Sequence, residues 1–211
     1  MRSQTAATAG YPAPGRRQSY GSVSAAEDIK APSEARALRE PQLVRLRDGS
    51  KATVRAARAG DEPAVLVLLG SLRPDELRMR FFTGAVNLDK AAHDESSVQD
   101  GRFGLVAHDS SGMLVAHAFY ACLDDARAEV AVEVADHLHG RGLGTLLLEM
   151  LARVAEDEGI HTFHAEVLPD NHAMLNVFRK AFAAHVRFRA GVEHVEFATS
   201  AWRAARERLS A

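Results

Sequence analysis

The sequence predicts an α+β fold: one mixed, mostly antiparallel sheet with helices on both faces. Three observations carry that expectation. Ala128–Val134 alternates small or apolar residues with Glu129 and Glu133, the period-2 pattern of a strand. Thr145–Glu158 follows as a helix, and Leu143, Leu147, Met150, Leu151 and Val154 recur at helical spacing to form one apolar stripe. Ile160–Leu168 then returns as a strand, and because a helix joins the two strands they must run parallel. Around this unit the expected order is β-hairpin, two helices, three antiparallel strands, helix, strand, helix, hairpin.

A chain of 211 residues, 46% hydrophobic, suits one globular domain with an appendage. The reading is a disordered tail over residues 1–41, a domain over 42–199 and a short C-terminal helix over 200–211. The tail holds four of the seven prolines and almost no large aliphatic side chains, so it buries too little to offset its ordering entropy. Arg2, Arg16 and Arg17 precede the first acid, but no amphipathic pattern of a transit peptide accompanies them. Ser33–Arg39 has helical propensity and is the part a neighbouring subunit would order.

Within the domain, Leu43–Ala57 alternates on both sides of Asp48-Gly49, the signal of a two-residue hairpin. Asp61 is expected to cap a helix with Pro63 in its first turn, and a second helix starts near Pro74. Gly84–Gly101 is polar and irregular and reads as a solvated loop; its adjacent His93, Asp94 and Glu95 are poorly spaced as metal ligands. Phe103–His108 and Met113–Leu123 read as strands, Asp124-Asp125 turns the chain back, and Gly159 ends the long helix. Pro169-Asp170-Asn171 opens a helix bearing Met174, Leu175 and Phe178. His185–Arg189 and Val192–Phe197 form a last hairpin, after which Ser200 caps a short helix and Trp202 packs back on the domain.

A formal charge of −2 gives no argument for nucleic acid or an anionic membrane surface as partner. The single cysteine, Cys122, precludes an intramolecular disulfide and fits a reducing cytoplasm. No apolar run approaches the roughly 18 residues of a membrane span.

Between the central strand and the long helix lies His139-Gly140-Arg141-Gly142-Leu143-Gly144. A glycine-rich turn feeding a helix N-terminus offers unpaired N–H groups and the positive end of the helix dipole, a cradle for phosphate. Arg141 adds a charge nearby, and the backbone N–H of His139 adds a donor. A P-loop is excluded because no Lys follows the glycines. A dinucleotide fold lacks its third glycine, where Thr145 stands, but Glu166 could serve as its ribose-binding acid; that alternative stays open, as does a strand–turn–helix with no ligand.

The segment resembles the acyl-CoA-binding core of the GNAT superfamily of N-acyltransferases, whose signature is Q/R-x-x-G-x-G/A after a strand and before a helix. His139 stands where Gln or Arg is usual, and Asn171 falls on that superfamily's Asn at the next helix. The resemblance covers about Leu43–Thr199. Its opening hairpin and Ser71–Phe82 (SLRPDELRMRFF) look like the subgroup that modifies protein lysines, often fused to acyl-CoA synthetase or nucleotide-binding domains.

The resemblance implies that the two parallel strands splay apart and that an acyl-pantetheine arm lies in the gap, bonded to the backbone at Val132 and Val134. It implies that His139, Gly140, Arg141, Gly142, Leu143, Gly144 and Thr145 hold the pyrophosphate, with Asn171 and Phe178 lining the cofactor. The co-substrate is then acetyl-CoA or another short acyl-CoA, with no metal. The acceptor is a primary amine, protein lysine first and a small amine second, in a monomer or homodimer; a non-catalytic acyl-CoA sensor is the further alternative. A lysine amine has a pKa of about 10.4 and needs a base. Glu129, at the start of the central strand, is the candidate and Glu133 the runner-up, while a backbone N–H near Val134 meets the oxyanion. Two departures stand out. Phe178 occupies the place of a Tyr that often protonates the leaving thiolate, leaving Tyr120 as the one phenol in the domain, and Ala181 replaces a usual Gly.

Overall fold

The computed structural model describes residues 34–83, 85–96 and 101–204. Eight strands form one sheet in the spatial order β1 (Gln42–Arg45), β2 (Lys51–Ala56), β3 (Arg102–His108), β4 (Leu114–Cys122), β5 (Arg127–Val134), β6 (Thr162–Val167), β8 (Val192–Ala198), β7 (His185–Arg189). All neighbours are antiparallel except β5 and β6, which are joined by the helix α5 (Leu143–Asp157). The expected mixed sheet is therefore present. Leu114–Tyr120 of β4 is buried without alternation, as a strand covered on both faces must be.

β5 and β6 pair only at Arg127–Thr162, Ala128–Phe163 and Glu129–His164. β5 stays with β4 as far as Val134, whereas β6 continues along β8 as far as Val167. Past Glu129 the two parallel strands thus part, and the expected splay follows from their different second neighbours.

Helices fix the two faces. α5 buries Leu147, Leu148, Leu151 and Val154 and lies over the even-numbered side chains of β5, where the Cβ position of Gly144 is 3.6 Å from Val134. On the opposite face are α2 (Glu62–Ser71), α3 (Pro74–Phe81) and α4 (Leu88–Ser96), tied to the odd-numbered Glu133 through Arg80. α6 (His172–Phe182) packs Phe178 and Phe182 against Phe197 of β8. Among the described residues no helix is long and apolar enough to cross a membrane.

Several local expectations need correction. The Asp48-Gly49 hairpin has a three-residue loop, closed by the Leu46 N–H on the Ser50 carbonyl at 2.8 Å. The Ser50 N–H and hydroxyl both reach Asp48 Oδ1, so the Asp side chain builds the turn that would otherwise need a tighter backbone. Asp61 does not cap α2 with its side chain; it is buried against Arg55 and accepts the Arg58 N–H. Half of the expected 84–101 loop is the helix α4, and Glu95 within it is buried rather than solvated. Ser200 sits inside a 3-10 turn, Thr199–Ala201, whose N-cap is Ala198. Trp202 does pack back, with Nε1 donating to Glu156 at 3.0 Å and Arg153 stacked on its ring.

The tail boundary also moves. Glu34–Ala37 forms the short helix α1, whose first N–H meets Asp157 Oδ2 at 3.0 Å, and Leu38 is buried at 2% exposure. The Leu38 carbonyl accepts the Ala56 N–H at 2.7 Å. Residues 34–41 therefore pack on their own domain without a second subunit; residues 1–33 and 205–211 lie outside the described residues. Leu38→Ala should lower stability by about 2–5 kcal/mol, the usual range for emptying a core leucine site. Urea unfolding measures it, and a loss within a few tenths would mean the segment is not part of the core.

Candidate active site

Where β5 and β6 part, a crevice of about 490 Å³ opens. β5 contributes Glu129 to Val134, β6 contributes Ala165 to Val167, and the glycine turn closes the end beyond Val134. A further wall is α3 and its flanks, including Met79, Arg80 and Phe82.

The antiparallel register tells which backbone groups face this space. The Ala135 N–H donates to the Val115 carbonyl, so odd-numbered β5 residues bond β4 and even-numbered ones point the other way. Past Glu129 that other side has no strand on it, leaving the polar backbone of Val132 and Val134 directed into the crevice. The Val134 carbonyl is already taken there by the His139 ring, 2.8 Å away.

The glycine turn has the conformation of an anion cradle. Gly140 and Gly142 have φ of +73° and +88°, and Gly142 is the N-cap of α5. The helix ladder begins with the Leu146 N–H on the Gly142 carbonyl, and the N–H groups of residues 140–145 meet no acceptor among the described residues. These orphans and the helix dipole point one way.

Two of the expected contributors are otherwise engaged. The His139 N–H donates to the Asp136 carbonyl, and its half-exposed ring lies 3.3 Å from Asp136. Arg141 turns away from the crevice to pair with Asp48 at 2.7 Å, although the two residues are 93 apart in sequence. The cation beside the turn on the crevice wall is Arg47 instead, brought in when its N–H bonds the Arg141 carbonyl and the hairpin docks on the turn. A Cβ on Gly142 would lie 3.0 Å from Arg47 Nε. No spacing in the sequence joins Arg47 to the glycines; only the docked hairpin does.

The two candidate carboxylates prove unlike. Glu129 is half-buried on the crevice wall and accepts no hydrogen bond among the described residues. Burial raises its pKa; Arg80 pulls it back and Glu166 across the crevice pushes it up again. Glu133 is fully enclosed: Arg80 Nε binds Oε1, and His117 Nδ1 lies 3.4 Å from Oε2. Burial opposes its charge, but Arg80 and His117 prevail and hold its carboxyl well below the usual range. Arg80 also binds Glu95 at 2.6 Å, and His117 Nδ1 lies 3.7 Å from that carboxylate. Burial works against a charged His117 as well, yet Glu133 and Glu95 push it up to about 9. A carboxylate so stabilised is a weak base, so of the pair Glu129 has the better proton-accepting environment. Arg80, Glu95 and His117 carried no motif; the one hint was a lone His inside the apolar strand Leu114–Cys122.

Asn171 spends its side chain capping α6, accepting the Met174 N–H at 3.1 Å, on the crevice rim. Residues 72–183 match the model of the Acetyltransferase (GNAT) family. The chain belongs to that family. It is 33% identical over 109 residues to acetyltransferase Pat of Mycolicibacterium smegmatis, which covers 52% of this chain but only 31% of that longer relative. The solved GNAT domain of S. lividans PAT is 32% identical with a TM-score of 0.67, over 75% of this chain and 96% of that one. Both relatives accord with the subgroup indicated by the opening hairpin and Ser71–Phe82. Spermidine N-acetyltransferase from Vibrio cholerae, solved with CoA and spermine, is 14% identical with a TM-score of 0.57 over 72% of this chain and 98% of its own, a likeness of fold alone.

The chain's departures from the GNAT family pattern now have places. Phe178 is 2% exposed, tilted against Phe197 with ring centroids 5.4 Å apart, and is among the residues lining the crevice. Tyr120 is buried with its hydroxyl on Glu158 at 2.9 Å, away from the crevice wall. No tyrosine hydroxyl among the described residues therefore lines the site.

Proposed function

We propose that this GNAT protein is an acetyl-CoA-dependent N-acetyltransferase acting on protein lysine side chains. One observation carries the reading: the other arginines at the crevice are engaged by acids, and its two ends are left with opposite charge. Arg73 pairs with Glu76 and Asp136, Arg78 with Asp170, and Arg80 with Glu133 and Glu95. At one end Arg47 lies beside the open N–H groups of the glycine turn, and at the other Glu129, near the start of β5, accepts no side-chain hydrogen bond among the described residues. Five residues of strand separate the ends, about 17 Å. One end suits a pyrophosphate and the other an ammonium group, with an extended arm between them.

In this reading Glu129 takes the proton of the incoming ammonium, and the neutral amine attacks the thioester carbonyl. The Val134 N–H on the open side of β5 meets the developing oxyanion, a type of contact whose loss costs about 10²–10³-fold elsewhere. With Phe178 in place of a donor, water protonates the departing thiolate. The likeness to Pat acetyltransferases supports lysine as acceptor, and by the same reading the protein works in the cytoplasm. Mass spectrometry after incubation with acetyl-CoA and either lysine peptides or spermidine tests it. The expected result is one acetyl group on the lysine Nε. Acetylation of spermidine alone would assign a small amine, and no transfer with intact acetyl-CoA binding would make the protein an acyl-CoA sensor.

A further inference from the structure

A buried cluster of charge underlies the acceptor side of the crevice and joins four elements at one point. Arg80 comes from α3, Glu95 from α4, His117 from β4 and Glu133 from β5. The side chains of Glu95, His117 and Glu133 are at most 2% exposed, and that of Arg80 is 14% exposed. Two carboxylates and one guanidinium leave a single negative charge in the protein interior, and a protonated imidazole at His117 cancels it. Such clusters are costly to bury and are seldom the cheapest way to hold a core together.

Arg80 and Glu133 are the members that also line the crevice, and Arg80 is flanked there by Met79 and Phe82 of the acceptor wall. Its guanidinium is bracketed by the rings of Phe81 and Phe119, 4.9 and 5.7 Å from their centroids. Phe82 ends α3 in the left-handed region at φ +57°, so the wall turns sharply one residue after that bracket. The cluster therefore pins α3 to the central strand at the residue from which the acceptor wall is hung.

Glu129 projects from the same face of β5 as Glu133. The charged or titratable groups facing it are Arg80 of α3, Arg102 of β3, and Glu166 with His164 of β6. Of the two cations, Arg80 acts on it more strongly.

We propose that Arg80 is a positioning residue for the acceptor: clamped by Glu95, His117 and Glu133, it sets α3 against the central strand and supplies the positive field in which Glu129 works. This rests on Glu129 being the base. It assigns the buried cluster a task in acceptor recognition, separate from the binding of the acyl donor at the glycine turn.

The test compares Arg80→Lys and Arg80→Gln with wild type for acceptor KM, acetyl-CoA affinity and the pH profile of kcat/KM. Arg80→Lys keeps the charge but loses the two-pronged clamp. Its acceptor KM should rise about tenfold or more, the scale of small misplacements in a site, with acetyl-CoA affinity unchanged and the acidic limb in place. Arg80→Gln should raise acceptor KM and also move the acidic limb to higher pH. Where the Gln variant loses cooperative unfolding, the Lys variant alone decides. Unchanged acceptor KM in Arg80→Lys overturns the proposal, as does an acceptor KM that rises only in step with weaker acetyl-CoA binding. Stoichiometric zinc in the purified protein would overturn it too, because Glu95, His117 and Glu133 present ligand atoms within 4.8 Å of one another. Glu129→Gln separates the two readings. If it keeps the acidic limb, the base assignment fails, whereas the KM readout still judges the clamp.

Discussion

Glu129→Gln slows turnover by about 10²–10⁴-fold, the usual worth of general-base assistance, and leaves acetyl-CoA binding as it was. The side chain is half-buried on the crevice wall and bonded to nothing that the amide would disturb, so the fold should tolerate the change. The pH profile gives the second signature. Burial raises the Glu129 carboxyl more than Arg80 lowers it. The base is competent only when ionised, so wild-type kcat/KM should climb with pH through a point above the ordinary Glu value of about 4.3. The variant should lack that limb. Glu133→Gln gives the contrast: it strips a buried partner from Arg80 and His117, so it should lower thermal stability as well as rate. A Glu129→Gln enzyme within a few-fold of wild type would transfer the base role to water or another group.

Gly142→Val abolishes the thermal shift that acetyl-CoA produces. A ligand that binds only the folded state adds about 2.7 kcal/mol at a hundred times its Kd, so the wild-type shift is easily read. Two effects combine in the variant. At φ +88° a β-branched residue is strained, with a left-handed penalty of roughly 1–2 kcal/mol before β-branching is counted. Its Cβ also meets Arg47 at 3.0 Å and pushes that side chain across the cradle. Gly144→Ala should keep the shift, because its Cβ would rest in ordinary contact, 3.6 Å from Val134 and 4.0 Å from Val132. Arg47→Ala removes an exposed side chain that makes no hydrogen bond among the described residues, so apo stability should hold. Acetyl-CoA affinity should then drop by about tenfold or more, as a lost charge-assisted contact implies. A full shift in both Gly142→Val and Arg47→Ala would remove the cradle from the donor site, and an equal response to NAD would revive a dinucleotide.

The sheet and the long helix were legible because their signals are local. Alternation over Ala128–Val134 is a property of neighbours in sequence, and so is the stripe from Leu143 to Val154. The glycines at 140 and 142 were legible for the same reason, since a positive φ is a property of one residue. Where local signals were weak, the reading slipped. Leu88–Ser96 is a polar helix whose buried face is little more than Ala92, Glu95 and Ser96, which no apolar stripe announces. Leu38 is a single large aliphatic residue in a polar stretch, and its burial depends on Ala56 and Asp157 bringing their elements to it.

By itself the sequence determined the mixed sheet, the strand–turn–helix with its glycine-rich turn, and the two acids on one face of the central strand. Only the tertiary structure decided which charges remain for chemistry. Arg141 is neutralised by a hairpin 93 residues away, and that hairpin delivers Arg47 in its place. Glu133 is claimed by Arg80 and His117, and Glu129 is left unbonded. Two acids four residues apart on a strand look alike in sequence. The partners that set them apart come from other elements, and a charge has no chemistry of its own until its partners are known.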